Sequence, residues 1–208
     1  MRIAMIGAGN VGSALGRAWL GGGEDVIFGV PNPADPKYRS LPEEKMRTAP
    51  EAARGAEIIV LATPWPATET AVKSLGDLSG KIVIDCMNPI GMTGGALGLL
   101  LGHSTSGGET VATWLPGAHV VKTLNQVGAE MMADNAGLPH RPVMFMAGDD
   151  AQAKAKVAAV LSDLGFEPLD AGDIARSRLL EPFGMVWINQ ALLRGKGRNW
   201  AFAAVERK

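Results

Sequence analysis

The chain has 208 residues with 20 basic and 21 acidic side chains. Its length fits one sizeable core, and its charge balance predicts no electrostatic attraction to nucleic acid or to an anionic membrane surface. A single cysteine, Cys86, excludes an internal disulfide framework and is typical of a reducing compartment. The apolar run at residues 1–6 is too short for a signal peptide, and no later run reaches a membrane-spanning length. We therefore predict a cytoplasmic protein in which residues 1–208 form one domain that binds a small molecule.

Short apolar runs alternate with helical patterns along the N-terminal half of the chain. Glycine, proline and asparagine close most of these runs. In chain order, the pattern predicts a strand at 3–6, a helix from 11 to the glycines at 21–23, strands at 26–29 and 45–48, a helix at 50–54, a strand at 57–62, a helix ending near 75 and a strand at 81–85.

The C-terminal half resumes this alternation after an interruption. Residues 91–108 carry many glycines and no clear period, which predicts a mobile loop with at most a short helix. Strands follow at 119–123, 143–147 and 166–170, with an amphipathic helix over 153–164 and a helical region over 174–193. In that last region Phe183, Trp187 and Ile188 lie on a broad apolar face, which we expect to pack on a second copy in a homodimer.

The order of these elements predicts an α/β fold. Strands joined through helices form a mostly parallel sheet with right-handed crossovers. We therefore expect a doubly wound Rossmann fold with a short helical C-terminal extension. Ligands of such sheets bind beyond the carboxyl ends of the strands, so the turns after the strands at 3–6, 57–62, 81–85 and 119–123 should line one site.

A glycine-rich turn follows the first strand and opens the first helix. Its residues are Gly7-Ala8-Gly9-Asn10-Val11-Gly12. The pattern G-x-G-x-x-G in this context is typical of a dinucleotide-binding loop. The first glycine permits the tight turn, the second lets the backbone approach the pyrophosphate, and the third lets helix and strand pack closely. Free N–H groups at the start of the helix would hold the phosphates.

The segment after the second strand decides the choice of dinucleotide. An acidic residue there would hold the ribose of NAD, and an arginine would mark NADP. Residues 28–32 contain neither, although Val30 and Asn32 lie where the ribose is expected and Asn32 suits either ribose. Lys37 and Arg39 either reach a 2′-phosphate or form a solvated helix end. We predict NADP, with NAD as the alternative.

Several catalytic sets are absent from the sequence. The single tyrosine, Tyr38, is not part of a Tyr-x-x-x-Lys pair. His103, His119 and His140 lie far apart without ligand-type neighbours, so we predict no metal site and no catalytic side chain. Lys122 lies in an otherwise apolar strand, and we interpret it as an edge charge, with a site lysine as the alternative.

Taken in order, several modest motifs resemble the family of NADPH:coenzyme F420 oxidoreductases, the deazaflavin reductases, which includes the cytosolic domain of the STEAP metalloreductases. The resemblance runs nearly end to end. The matching segments are the glycine loop with Ser13-Ala14-Leu15-Gly16, Ala62-Thr63-Pro64-Trp65, residues 85–89, Val120-Val121-Lys122-Thr123-Leu124-Asn125, Ala147-Gly148-Asp149-Asp150, and Leu169-Asp170-Ala171-Gly172 leading to Ser177-Arg178-Leu179-Leu180-Glu181.

The resemblance implies a set of roles for these segments. The glycine loop would hold the pyrophosphate, and Thr63 with Pro64 would lie along the nucleotide. The nicotinamide would be flanked by two turns, which are Asn88-Pro89 and Thr123-Leu124-Asn125. Relatives carry a Ser-Arg or similar pair after the second strand for the 2′-phosphate, and this sequence has Val30-Pro31 there.

Three functions remain open at this stage. The favoured one is an oxidoreductase that moves hydride from NAD(P)H to a deazaflavin or flavin, because transfer between two rings needs no catalytic acid. A small imine or carbonyl reductase related to pyrroline-5-carboxylate reductase is the second, although fewer than forty residues follow Asp170 for a substrate domain. The third is a non-catalytic NAD(P) sensor.

Overall fold

The apolar runs of the sequence form the strands of one eight-stranded sheet. A computed structural model describes residues 1–207. Its elements, in chain order, are β1 (Arg2–Ile6), α1 (Asn10–Gly21), β2 (Asp25–Gly29), β3 (Met46–Arg47), α2 (Ala49–Ala53), β4 (Ile58–Leu61), α3 (Trp65–Ser74), β5 (Ile82–Asp85), β6 (Ile90–Thr93), β7 (Ala96–Leu99), α4 (Gly107–Trp114), β8 (His119–Lys122), α5 (Ala129–Ala133), β9 (Val143–Gly148), α6 (Ala151–Asp163), β10 (Glu167–Gly172) and α7 (Ser177–Ile188).

The sheet has the strand order β10-β9-β8-β5-β4-β1-β2-β3. The six strands from β8 to β3 are parallel, whereas β9 pairs antiparallel with β8 and β10 runs parallel to β9. The predicted doubly wound, mostly parallel fold is confirmed, including its helical C-terminal region.

Helices cover both faces of the sheet, which explains why the central strands are apolar throughout. Both β4 and β5 are buried along their whole length. On one face the core contains side chains from α1 and α6, such as Leu15 and Val157. On the other face it contains side chains from α2, α3 and α4, such as Ala52, Val72 and Val111.

The carboxyl ends of four central strands form one row across the sheet. In the strand register, Ile6 of β1 pairs with Leu61 of β4, Leu61 with Asp85 of β5, and Asp85 with Lys122 of β8. The turns that follow these four residues therefore begin side by side. This row is the edge where Rossmann-type sheets bind their ligands.

Residues 91–108 do not form the predicted loop. They contribute to a two-stranded antiparallel hairpin, β6 and β7, and to the start of α4. The hairpin turn is Gly94-Gly95, and both glycines have positive φ, at 58° and 85°, as a tight two-residue turn requires. The loop prediction was wrong because these strands are short and glycine-containing and lack a clear alternation of apolar and polar residues.

The C-terminal segment folds back on α7 after a π-helical turn at Asn189–Leu193. Trp187 donates from Nε1 to the carbonyl of Trp200, and the two indoles stack with centroids 5.8 Å apart. Phe183 packs between Phe145 and Phe202, with centroid distances of 5.5 Å and 4.4 Å. The expectation that Phe183 and Trp187 face a partner subunit is therefore wrong, because the chain's own tail covers them.

No helix within residues 1–207 is both long enough and apolar enough to cross a lipid bilayer.

Candidate functional site at the carboxyl edge of the sheet

The glycine loop adopts the close packing that its sequence predicts. Gly7 has φ of 101°, and a Cβ there would lie 2.5 Å from the carbonyl oxygen of Ala62. A Cβ at Gly12 would collide with the carbonyl oxygen of Gly7. These two glycines bring β1, the start of α1 and the end of β4 together, which places the glycine loop beside Thr63.

Gly9 differs from its two neighbours in the motif. It has ordinary backbone angles, and a Cβ added there would meet no atom within 4 Å. Gly9 is the N-cap residue of α1, and no side chain caps this helix or places an acidic group in its first turn. The N–H groups of the first turn therefore have no side-chain partner, and the space at Gly9 is open, which is the arrangement that suits a phosphate.

Thr63 joins the glycine loop to the end of β5. Its Oγ1 lies 2.9 Å from Oγ1 of the buried Thr68, and each hydroxyl lies 3.2 Å from Sδ of Met87. Pro64 follows as the exposed N-cap residue of α3. The structure thus brings Thr63 against the segment that leads to Asn88, two of the places predicted for the dinucleotide.

Asn88 and Asn125 form a reciprocal pair. Nδ2 of Asn88 donates to the carbonyl of Asn125 at 2.8 Å, and Nδ2 of Asn125 donates to Oδ1 of Asn88 at 2.9 Å. Asn125 also donates to the carbonyl of Leu180 in α7, and Gln126 donates to its Oδ1. The two turns predicted to flank the nicotinamide are therefore locked together, with Pro89 buried beside them.

The turn after β8 carries a strained residue. Leu124 is fully buried with φ of 57°, a left-handed conformation that costs a residue with a Cβ about 1 kcal/mol or more. Its neighbour Thr123 is buried and donates from Oγ1 to the carbonyl of Phe145 at 2.9 Å. Strain of this kind is often found at functional sites, where the surrounding packing maintains it.

A buried ionic cluster lies beneath these turns. The ammonium of Lys122 is 3.0 Å from Oδ2 of Asp85 and 2.9 Å from Oε1 of Glu181, and it also donates to the carbonyl of Met87. Glu181 accepts from the N–H groups of Gly107 and Gly108 at 2.9 Å and 3.0 Å, so it ties α7 to the start of α4. Asp85 accepts from the N–H of Met87 at 2.9 Å.

Charge pairing decides the protonation of Lys122. Burial by itself would lower the pKa of this ammonium, but the carboxylates of Asp85 and Glu181 outweigh it and hold that pKa above its ordinary value. The interpretation of Lys122 as an edge charge is wrong, because β8 lies between β5 and β9 and the side chain is fully buried.

A signal for this cluster exists in the sequence. The neighbouring apolar strands at 82–85 and 119–122 end in opposite charges, Asp85 and Lys122. A charge at the end of a fully covered strand needs a partner, and the two ends are adjacent in the sheet. Glu181 was assigned no role from the sequence, because nothing local connects residue 181 with residue 122.

The residues predicted to bind the ribose lie in different environments. The side chain of Val30 is buried in the core, so only its backbone is left for a ligand. Asn32 is exposed, and its Oδ1 accepts from the N–H of Ala34 within its own turn. Lys37 is 62% exposed and forms an ion pair with Asp35 at 3.0 Å. That ion pair raises the pKa of Lys37.

Comparison with known proteins agrees with this architecture. A family model described as "NADP oxidoreductase coenzyme F420-dependent" matches residues 2–89. A crystal structure of a protein from Arthrobacter sp. FB24, provisionally described as an F420-dependent NADP reductase, is 32% identical. The alignment covers 99% of this chain and 100% of that one, with a TM-score of 0.88.

Two further relatives are less similar in sequence than the Arthrobacter protein, and both are longer than this chain. Metalloreductase STEAP3 from Rattus norvegicus is 29% identical over 183 residues, which are 86% of this chain and 36% of that protein. This chain therefore spans little more than a third of that curated relative. A reductive aminase from Aspergillus terreus is 18% identical, with a TM-score of 0.66 over 93% of this chain and 62% of that one, and this likeness shows the fold alone.

The fold and the carboxyl edge are those of a dinucleotide-binding Rossmann protein, and the relatives above place the chain among the NAD(P)H-dependent oxidoreductases. More specifically, the chain belongs to the family of coenzyme F420-dependent NADP oxidoreductases. The resemblance stated from the sequence motifs is confirmed.

Proposed function

We propose that this protein transfers hydride between NADPH and a planar ring acceptor, either a deazaflavin such as coenzyme F420 or a flavin. The observation that carries the proposal is the ion pairing of the charged groups beneath the Asn88–Asn125 pair. Asp85, Lys122 and Glu181 are at most 1% exposed, and Lys122 pairs with both carboxylates. These side chains are therefore occupied by structural ion pairs, and hydride transfer between two rings needs no acid at this position.

The residues at the edge fit a dinucleotide. The first turn of α1, with Gly9 open in front of it, would hold the pyrophosphate, and Gly7 and Gly12 keep that turn tight. Ala8, Asn10 and Val11 belong to the same loop. Thr63 and Pro64 would border the nucleotide as it crosses from β1 to β5. When bound, NADPH supplies the hydride.

The nicotinamide would lie against the paired turns. Asn88 and Asn125 hold each other, and Pro89, Thr123 and Leu124 are buried around them. A rigid wall of this kind would orient a flat ring, which is a requirement of direct hydride transfer. The acceptor takes the hydride together with one proton from water, so the products are NADP⁺ and the reduced ring.

We also propose NADP as the dinucleotide, with NAD as the weaker ligand. The turn after β2 presents Asn32, which suits either ribose, and Lys37, whose ammonium suits a phosphate. Asp35 occupies this turn as well, but its carboxylate accepts from the N–H of Lys37 at 3.1 Å and pairs with the ammonium of the same residue. The negative charge is therefore balanced locally.

We further propose that the chain functions in the cytoplasm as one domain in a homodimer. Buried, unpaired Cys86 fits a reducing compartment. Leu179 and Val186, one heptad apart on α7, are 62% and 50% exposed, and Leu193 at the end of the π-helical turn is 53% exposed. An apolar stripe of this length suits a second copy of the same helix.

A parallel acceptor screen tests the proposed function. Oxidation of NADPH and NADH is followed with coenzyme F420, free flavins, ferric chelates, a pyrroline and keto acids. Turnover with F420 or flavins supports the proposal. Turnover confined to the pyrroline or keto acids would show a small imine or carbonyl reductase, and tight NADPH binding without any turnover would show a dinucleotide sensor.

A further inference from the structure

A groove of about 630 Å³ runs along the outer side of α1. Its wall begins at Gly9 and Asn10, continues along α1 to Arg17, and is completed by Lys37 and Ser40 from the turn after β2. Residues of α5 close the opposite side. We call this space the basic groove. It lies between the glycine loop and the post-β2 turn, the two segments that enclose the adenosine ribose in Rossmann folds.

The basic groove contains a guanidinium without a carboxylate partner. Nη2 of Arg17 donates to Oγ of Ser40 at 2.9 Å and approaches the carbonyl of Ser40 at 3.4 Å. Within residues 1–207 no acidic side chain lies within ion-pair distance of Arg17. The acidic residue that lines the groove, Glu130, pairs with Arg198 at 2.7 Å. The groove therefore keeps spare positive charge.

We propose that the basic groove binds the adenosine 2′-phosphate of NADP, with Arg17 and Ser40 as specificity-determining residues beside Lys37. This inference rests on the proposed function and names the residues that read its dinucleotide. The guanidinium fork matches two phosphate oxygens, and the Ser40 hydroxyl keeps the fork in place. Side chains on a helix lean toward its N-terminus, so Arg17 leans toward the end of α1 that would hold the pyrophosphate.

The sequence explains why the residue that would select NADP, Arg17, lies on α1. Residues Val30 and Pro31 occupy the position directly after β2 and carry no group that could bind a phosphate. The positive charge that such a site needs is supplied instead from the helix opposite. The phosphate is then bound from two sides, by Arg17 from α1 and by Lys37 from the post-β2 turn.

Binding of the two dinucleotides to matched variants tests this inference. Dissociation constants for NADPH and NADH are measured by titration calorimetry for the parent, Arg17→Ala, Arg17→Gln, Lys37→Ala and the control Arg39→Ala. Arg39 is an exposed cation on the same turn that does not line the groove. Both Arg17 substitutions should raise the dissociation constant for NADPH by about tenfold or more, while the dissociation constant for NADH stays unchanged.

The outcomes separate this inference from the proposed function. An unchanged NADPH constant in both Arg17 variants, or equal weakening of NADPH and NADH, overturns the role of Arg17 while dinucleotide binding stands. If only Arg39→Ala lost affinity for NADPH, the 2′-phosphate would have to bind outside the basic groove. A parent that binds neither dinucleotide overturns the proposed function itself. Arg17 is exposed, so circular dichroism should show parent-like folding in both substitutions.

Discussion

The ammonium of Lys122 lies 2.9 Å from the carboxylate of Glu181, 59 positions later in the chain, and both side chains are buried. This contact joins the end of β8 to the middle of α7. Since Glu181 also binds the first N–H groups of α4, one carboxylate fixes three elements around the carboxyl edge. The position of α7 relative to the Asn88–Asn125 pair depends on it.

Removing one member of this cluster should destabilise the protein strongly. Glu181→Gln is expected to lower the free energy of unfolding by about 3 kcal/mol, because it breaks a buried ion pair. Lys122→Met should cost more, since it leaves two buried carboxylates without a cation. Urea unfolding measures both. Lys73→Met is the control, because its pair with Glu69 is exposed and should contribute less than about 1 kcal/mol. Similar losses in all three variants would contradict the structural role of the cluster.

The same cluster predicts a dependence on alkaline pH. The pKa of Lys122 is raised above its ordinary value of 10.5, so its stabilising effect is fully present below that pH. That effect is lost as the pH rises through the higher pKa of the folded state. The difference in unfolding free energy between the parent and Glu181→Gln should therefore be constant near neutrality and shrink above about pH 10.5. A difference that grows with pH would contradict this sign.

The glycine loop predicts opposite behaviour for two glycines. Gly9→Val should fold like the parent, since its Cβ enters open space, and should lose NADPH binding because the side chain takes the place of the pyrophosphate. Gly12→Val should unfold at lower temperature, because its Cβ collides with the backbone of Gly7. Thermal unfolding and NADPH titration check both. If Gly9→Val binds NADPH normally, the site lies elsewhere.

The exposed stripe of α7 predicts the oligomeric state. Light scattering at micromolar concentration should give the mass of a dimer for the parent and of a monomer for Val186→Asp, which places a charge at the centre of the stripe. Lys196→Ala, outside the stripe, serves as the control. A monomeric parent would rule the dimer out.

Most of the fold could be predicted from local sequence patterns and from the order of the strands and helices. The continuous apolar run of β4 indicates a strand covered on both faces, and the glycine loop follows a strand and opens a helix. The fold and the position of that loop could therefore be predicted. The hairpin at residues 90–99 is harder, because its strands lack a clear alternation of apolar and polar residues and β7 packs against α7, an element distant in sequence. Burial of Lys122 and coverage of Trp187 depend on long-range packing, which no local pattern reports.

Transfer of an isotope label is the most direct test of the central claim. NADPH carrying two deuterium atoms at C4 of the nicotinamide is mixed with the protein and oxidised coenzyme F420, and the reduced deazaflavin is examined by mass spectrometry. Ring position 5 of a deazaflavin is carbon, so a transferred deuterium stays there. We predict one deuterium in the reduced F420 under single-turnover conditions. Reduced F420 without the label, or no reduction of F420 while NADPH is bound, would contradict direct hydride transfer from NADPH to a deazaflavin by this protein.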